Sequence, residues 1–206
     1  MNSEITTVLI AEDQAMVRGA LAALLNLEPD LTVVAQVERG DEIVPTVLQA
    51  QPDIALLDIE LPGMDGLDAA AALRTAAPDC RVMMLTTFGR SGYLKRALAA
   101  GARGFVLKDA PAPELAVSIR RVMRGEHVVD PHFAAMAISD GDNPLTSRER
   151  EALTAALAGS SIADIADRLF LSDGTVRNHL SIAIQKLGAR NRVEAARLAE
   201  RKGWLG

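Results

Sequence analysis

Through the first 124 residues, apolar positions come in short runs that stop at polar residues, and segments of helical period separate them. The runs at 7–11, 31–37, 54–57, 81–85 and 104–107 predict five buried strands. Met16, Ala20, Ala23, Leu24 and Leu27 mark a first helix, and further helices are predicted over 41–49, 66–76, 91–100 and 112–124. Strands alternating with helices predict an α/β domain, a parallel sheet with helices on both faces. The run Ile54-Ala55-Leu56-Leu57 ends at Asp58, and the turn pair Pro62-Gly63 follows. Taken alone, Asp58 fits a turn cap as well as a site residue.

Periodicity lapses over 125–143, which contains Pro131 and Asp140-Gly141-Asp142-Asn143 and reads as a linker with a short helix over 133–138. Beyond it the period is helical throughout. Thr146-Ser147-Arg148-Glu149 fits a capping box opening a helix to about 158, and Gly159 stops it. A short helix over 162–169, a turn at 171–173 with Ser172 as N-cap, and a longer helix over 173–187 follow. On the longer helix Val176, Leu180, Ala183, Ile184 and Leu187 form the apolar stripe, while Arg177, Asn178, Ser181 and Gln185 occupy the other face. The domain boundaries read as 1–124, 125–143 and 144–206.

Composition changes this picture in two places. The chain of 206 residues is 49% hydrophobic with 3% aromatics, which favours helix-rich packing over a β-sandwich. No apolar run approaches the roughly 20 residues of a membrane span, the first residues lack a basic signal-peptide start, and Cys80 is the only cysteine. A cytoplasmic protein without membrane insertion, disulfides or a cysteine metal site is expected. The net charge of −5 is uneven: residues 1–142 carry 12 Lys+Arg against 20 Asp+Glu, and residues 143–206 carry 10 against 7. An acidic half followed by a basic half points to different partners, the second one anionic.

If the strands are parallel, their carboxyl ends gather Glu12, Asp13, Asp58, Thr86 and Lys108 at one edge of the sheet. Three carboxylates in one place repel unless a cation intervenes, and hard oxygen donors suit Mg2+. A carboxylate nucleophile, a divalent ion, a hydroxyl and an ammonium are the parts for forming and holding an aspartyl-phosphate. The competing interpretation is a structural ion cluster around Lys108. In the second half, a short helix, a tight turn and an Arg- and amide-bearing helix fit a helix-turn-helix, in which Arg reads guanine and Asn or Gln adenine; a helical interaction bundle fits the pattern equally.

Glu12-Asp13, Asp58 ahead of Leu61-Pro62-Gly63-Met64-Asp65-Gly66, Thr86 and Lys108 resemble, in order and spacing, the receiver domain of bacterial two-component response regulators. The resemblance covers residues 5–124. It implies a flavodoxin-like (CheY-like) five-stranded parallel fold in strand order 2-1-3-4-5, and a phosphoryl group accepted by Asp58 from a sensor histidine kinase. It further implies Mg2+ or Mn2+ held by Glu12, Asp13, Asp58 and the main-chain carbonyl of Glu60, phosphoryl contacts from Thr86 and Lys108, and a switch formed by Thr86 and Phe105. Glu12 stands where the family more often has Asp. Glu60 and Phe88 occupy the positions that set phosphoryl lifetime in the family, and the apolar Phe88 predicts a long-lived phosphorylated state.

Leu145-Thr146-Ser147-Arg148-Glu149-Arg150-Glu151, Ile165-Ala166, Leu171-Ser172, Thr175-Val176-Arg177-Asn178-His179-Leu180, Lys186-Leu187 and Arg192-Val193-Glu194-Ala195 resemble the LuxR-type helix-turn-helix of the NarL/FixJ response regulators. That resemblance implies an all-α, four-helix domain. Its promoter double-stranded DNA contacts would come from Ser172, Thr175, Arg177, Asn178, Ser181, Gln185 and Lys186, although Ser181 stands where a basic residue is common. It also implies a homodimer formed on phosphorylation through the first and fifth helices, and RNA polymerase as a further partner. Glu12-Asp13-Gln14, Thr86-Thr87-Phe88 and Lys202-Gly203-Trp204 are most similar to the DesR branch, which controls lipid-desaturase transcription. The expected function is therefore a transcription regulator and not an enzyme. Its rivals are a phosphorylation-independent receiver and a phosphotransferase or phosphatase acting through Asp58.

Overall fold

The computed structural model describes residues 5–86, 91–108, 111–131, 134–135 and 142–205. The chain forms two compact units, the first reaching Ala135 and the second holding the remainder.

The first unit is a parallel sheet of β1 (Thr6–Ala11), β2 (Leu31–Val37), β3 (Ile54–Asp58), β4 (Arg81–Thr86), β5 (Gly104–Leu107) and β6 (Val128–Val129), in the order β2-β1-β3-β4-β5-β6. Helices α1 (Ala15–Leu25), α2 (Ile43–Ala50), α3 (Gly66–Ala76), α4 (Ser91–Ala99) and α5 (Ala112–Met123) connect the strands. Side chains alternate across a strand, so one face of the sheet takes Val8, Ile10, Ile54, Leu56, Met83, Leu85 and Val106. These pack with Ala22 and Leu25 of α1 and with Leu115, Ile119 and Val122 of α5. The intervening residues Leu9, Leu57, Met84 and Phe105 point the other way and are equally buried. Burial on both faces explains why these strands read as continuous apolar runs rather than as alternation. Each fully buried Ile or Leu here contributes roughly 1.5–3 kcal/mol.

The strand count corrects the five-stranded expectation. Val128 and Val129 pair with Gly104 and Phe105 as a sixth strand, within the segment expected to be linker. Two residues are too few to print a strand period. The expected helix over 41–49 also divides: Gly40–Glu42 is a 3-10 turn, and α2 begins at Ile43. Pro45 has no N–H to bond back one α-turn, so the entry tightens. Most of the helix expected over 133–138, and Phe88, lie outside the described residues.

The second unit comprises α6 (Ser147–Leu157), α7 (Ile162–Leu169), α8 (Asp173–Leu187) and α9 (Arg192–Arg201). Side chains cap all four amino ends. Thr146–Glu149 and Ser161–Asp164 form reciprocal capping boxes, Ser172 accepts from the Thr175 amide, and Asn191 from those of Val193 and Glu194. The core is built from small residues, Ala152, Ala155, Ala183, Ala195, Ala196 and Ala199, around Leu153, Ile165, Val176 and Leu180, with Trp204 closing it.

Candidate functional site

The turn between α7 and α8 is tight. Phe170 caps α7 in the left-handed conformation (φ 55°), and two residues later Ser172 caps α8. Val176, Leu180 and Ala183 turn inward, and Ile184 and Leu187 pack against the same core. That leaves Arg177, Asn178, Ser181 and Gln185 exposed. Ser172 Oγ and Thr175 Oγ1 lie 2.9 Å apart at the amino end of α8, which presents free N–H groups and the positive end of the helix dipole.

Lys186, expected on the DNA-facing set, has another partner. Its ammonium donates to both Glu149 carboxylate oxygens, at 3.0 and 2.8 Å. Glu149 is 3% exposed, and one of its oxygens also accepts from the Thr146 amide at 2.8 Å. Burial pushes the Glu149 pKa up, but the bonds from Lys186 and Thr146 outweigh it and hold the carboxyl below its ordinary range. One carboxylate thus caps α6 and ties it to the far end of α8.

In the first unit, β3 delivers Asp58 to the carboxyl edge of the sheet. Register pairs Asp58 with Leu85, so Thr86 lies one residue beyond it on β4. Glu12 follows the end of β1, and Lys108 follows β5, where its amide donates to the Thr86 carbonyl at 2.9 Å. Glu12, Asp58 and Thr86 are buried, while Asp13 is exposed. Lys108 Nζ bridges Glu12 Oε2 at 2.5 Å and Asp58 Oδ2 at 2.7 Å. The second Asp58 oxygen accepts from the Ile59 amide at 2.7 Å.

The loop after Asp58 is shaped by two glycines. Gly63 takes a left-handed φ of 82°, and a Cβ at Gly66 would overlap the Asp58 carbonyl oxygen. Asp65 then caps α3 by accepting from the Leu67 amide at 2.6 Å.

Burial raises the Asp58 and Glu12 pKa values, and their bonds to Lys108 pull against it. Burial would lower that of Lys108, yet the two carboxylates hold it above its ordinary value. Glu12, Asp13 and Asp58 offer one oxygen each, all within 4.8 Å of one another. Three carboxylates against one ammonium make a formal charge of −2, and oxygen-only donors of that charge fit a hard divalent ion. The side chain of Glu60 is exposed, and Phe105 is wholly buried on β5 opposite Met84.

Residues 8–120 match the response regulator receiver domain family, and residues 143–199 match the luxR family of bacterial regulatory proteins. The chain is a LuxR-type two-component response regulator. Over 96% of its length it is 46% identical to the uncharacterized transcriptional regulatory protein YvfU of Bacillus subtilis, of which 98% is covered. It is 44% identical to the transcriptional regulatory protein DesR of the same organism, over 97% of this chain and 98% of DesR. Among solved structures it resembles the response regulator ChrA of a heme-sensing two-component system, with 31% identity and a TM-score of 0.58 over 98% of this chain and 99% of ChrA.

Sequence reasoning about the regulator missed residues that hold the site in place. Arg18, one turn into α1, donates to the Glu12 carbonyl at 2.5 Å while pairing with Glu38, which fixes the loop carrying Glu12 and Asp13. Arg120 of α5 clamps Asp30 and Glu28 at 2.6 Å each at the amino end of β2, the edge of the sheet opposite the site. The one available signal for the first was an Arg at helical distance from an acidic strand end, and many surface arginines share it.

Proposed function

We propose that the regulator is phosphorylated on Asp58 by a sensor histidine kinase and binds promoter double-stranded DNA as a homodimer to control transcription in the cytoplasm, with RNA polymerase as its downstream partner. One observation carries the reading: the ammonium of Lys108 bridges Asp58 and Glu12 at the edge of the sheet, with Asp13 beside them. A structural ion cluster would be complete with one carboxylate per ammonium; the surplus charge of −2 is suited to Mg2+ or Mn2+ and a phosphoryl group.

Glu12, Asp13, Asp58 and the Glu60 carbonyl would hold the ion, which supplies charge neutralisation for the incoming phosphoryl oxygens. Asp58 Oδ2 attacks phosphorus, and the bond to the donor's nitrogen or oxygen breaks. Lys108 then exchanges one of its carboxylate partners for a phosphoryl oxygen, as an ammonium suits. The Thr86 hydroxyl donates to another oxygen. Phe105, buried on β5, would couple that movement to the surface of α4 and β5.

Dimerisation through α1 and α5 has support in the surface. An open apolar cavity of about 330 Å³ lies along α1, lined by Met16, Ala20 and Leu24 with Leu115 of α5. Met16 (87% exposed), Leu24 (43%) and Val117 (51%) stand out in water on these two helices.

Treating the full chain with acetyl phosphate and Mg2+ and measuring intact mass tests the phosphorylation. The proposal expects one added phosphoryl group, absent from Asp58→Asn. Catalytic turnover of phosphate monoesters would favour the phosphatase reading instead.

A further inference from the structure

The receiver's arginines divide into two groups. Arg18, Arg39, Arg96, Arg120, Arg121 and Arg124 each pair with a carboxylate. Among the described residues Arg74, Arg81 and Arg103 pair with none, and these three line one cavity of about 390 Å³ together with His127. Their hydrogen-bond partners are neutral. Arg74 Nη1 donates to the Ala99 carbonyl at 2.8 Å, Arg81 Nη1 meets the Met123 sulfur at 3.6 Å, and Arg103 Nη1 lies 2.7 Å from His127 Nε2. A guanidinium only donates, so Nε2 accepts and the imidazole carries its proton on Nδ1. Glu126 is held by Arg121 and Arg124, and Asp79 forms no ion pair among the described residues.

Arg74, Arg81 and Arg103 thus line one cavity and have no ion-pair partner among the described residues, in the half of the chain that is otherwise acidic. Like charges lining one cavity raise the local potential, and an oxyanion relieves it while offering the acceptors that guanidinium forks match in pairs. The placement is also distinct from the phosphoacceptor pocket. Arg81 opens β4, Arg103 directly precedes β5, His127 directly precedes β6, and Arg74 lies in the last turn of α3. All strands run parallel, so this cavity sits at the amino edge of the sheet and Asp58 at the carboxyl edge.

We propose that this cavity is a binding site for a compact ligand bearing at least two oxyanion charges, supplied by phosphoryl or carboxylate groups. The site belongs to the receiver alone and stands independently of phosphorylation at Asp58.

Isothermal titration of the full chain without added metal, using inorganic pyrophosphate in one series and citrate in another, tests it and distinguishes the two chemistries. One saturable site is expected for at least one of the two anions. In Arg74→Gln/Arg103→Gln, affinity should fall at least about tenfold. Because the double variant could fail to fold, amide NMR shifts of the unaltered chain supply a second readout. Saturable shifts at Gly101, Gly104 and Val128 support the site. No saturable binding of either anion, undiminished binding in the folded double variant, or shifts confined to other regions would overturn it.

Discussion

Lys186, near the end of α8, holds the carboxylate of Glu149 that caps the first turn of α6. The contact spans 37 residues of chain and engages both oxygens of a carboxylate that is 4% exposed. It orients α8 relative to the remainder of its unit, and so positions Arg177 and Asn178. Removing Glu149 takes away a helix cap and leaves a half-buried ammonium without its partner. Glu149→Ala should therefore cost about 2–4 kcal/mol of stability in that unit. Denaturant unfolding of the single and double variants should show strong non-additivity with Lys186→Met. Additive effects would separate the two residues.

The same pair sets an acid limit. The folded pKa of Glu149 lies below its ordinary value. Its contribution is thus fully present above the ordinary glutamate range and is lost as pH falls through the depressed folded value. Melting temperature should drop on acidification through that window, and Glu149→Gln should flatten the dependence. An unchanged slope in the variant would assign the acid limb to other carboxylates.

Arg177 is exposed on the outer face of α8. If it reads a base, Arg177→Ala should weaken operator binding by roughly 1–3 kcal/mol and relax discrimination at one position. An equal loss on every sequence, together with a shallower salt dependence, would make it a phosphate contact.

Much of this was legible beforehand, for identifiable reasons. Strands buried on both faces print continuous apolar runs, and parallel strands bring their ends together, so Asp58, Glu12 and Lys108 could be gathered from one dimension. The exposed face of α8 followed from the spacing of Val176, Leu180 and Ala183. The sixth strand was illegible because Val128-Val129 is too short for a period. The Lys186–Glu149 tie and the grouping of Arg74, Arg81 and Arg103 were illegible for another reason. Each joins residues from separate elements, and no local pattern records which charges find a partner.

Leu24 and Val117 expose apolar surface on α1 and α5. Replacing either with Asp should abolish phosphodonor-dependent dimerisation in analytical ultracentrifugation while leaving phosphoryl uptake intact. Unaltered dimerisation of both variants would move the interface to another face.

Chemistry at Asp58 should govern the second unit's grip on DNA. The most direct test is an electrophoretic mobility shift on the gene's own upstream region, run with and without acetyl phosphate and Mg2+, for the unaltered chain and for Asp58→Asn. Phosphodonor should tighten binding by the unaltered chain and produce a dimer-sized complex, while Asp58→Asn shows no response. Equal tightening of both proteins, or tight binding indifferent to phosphodonor, would contradict it.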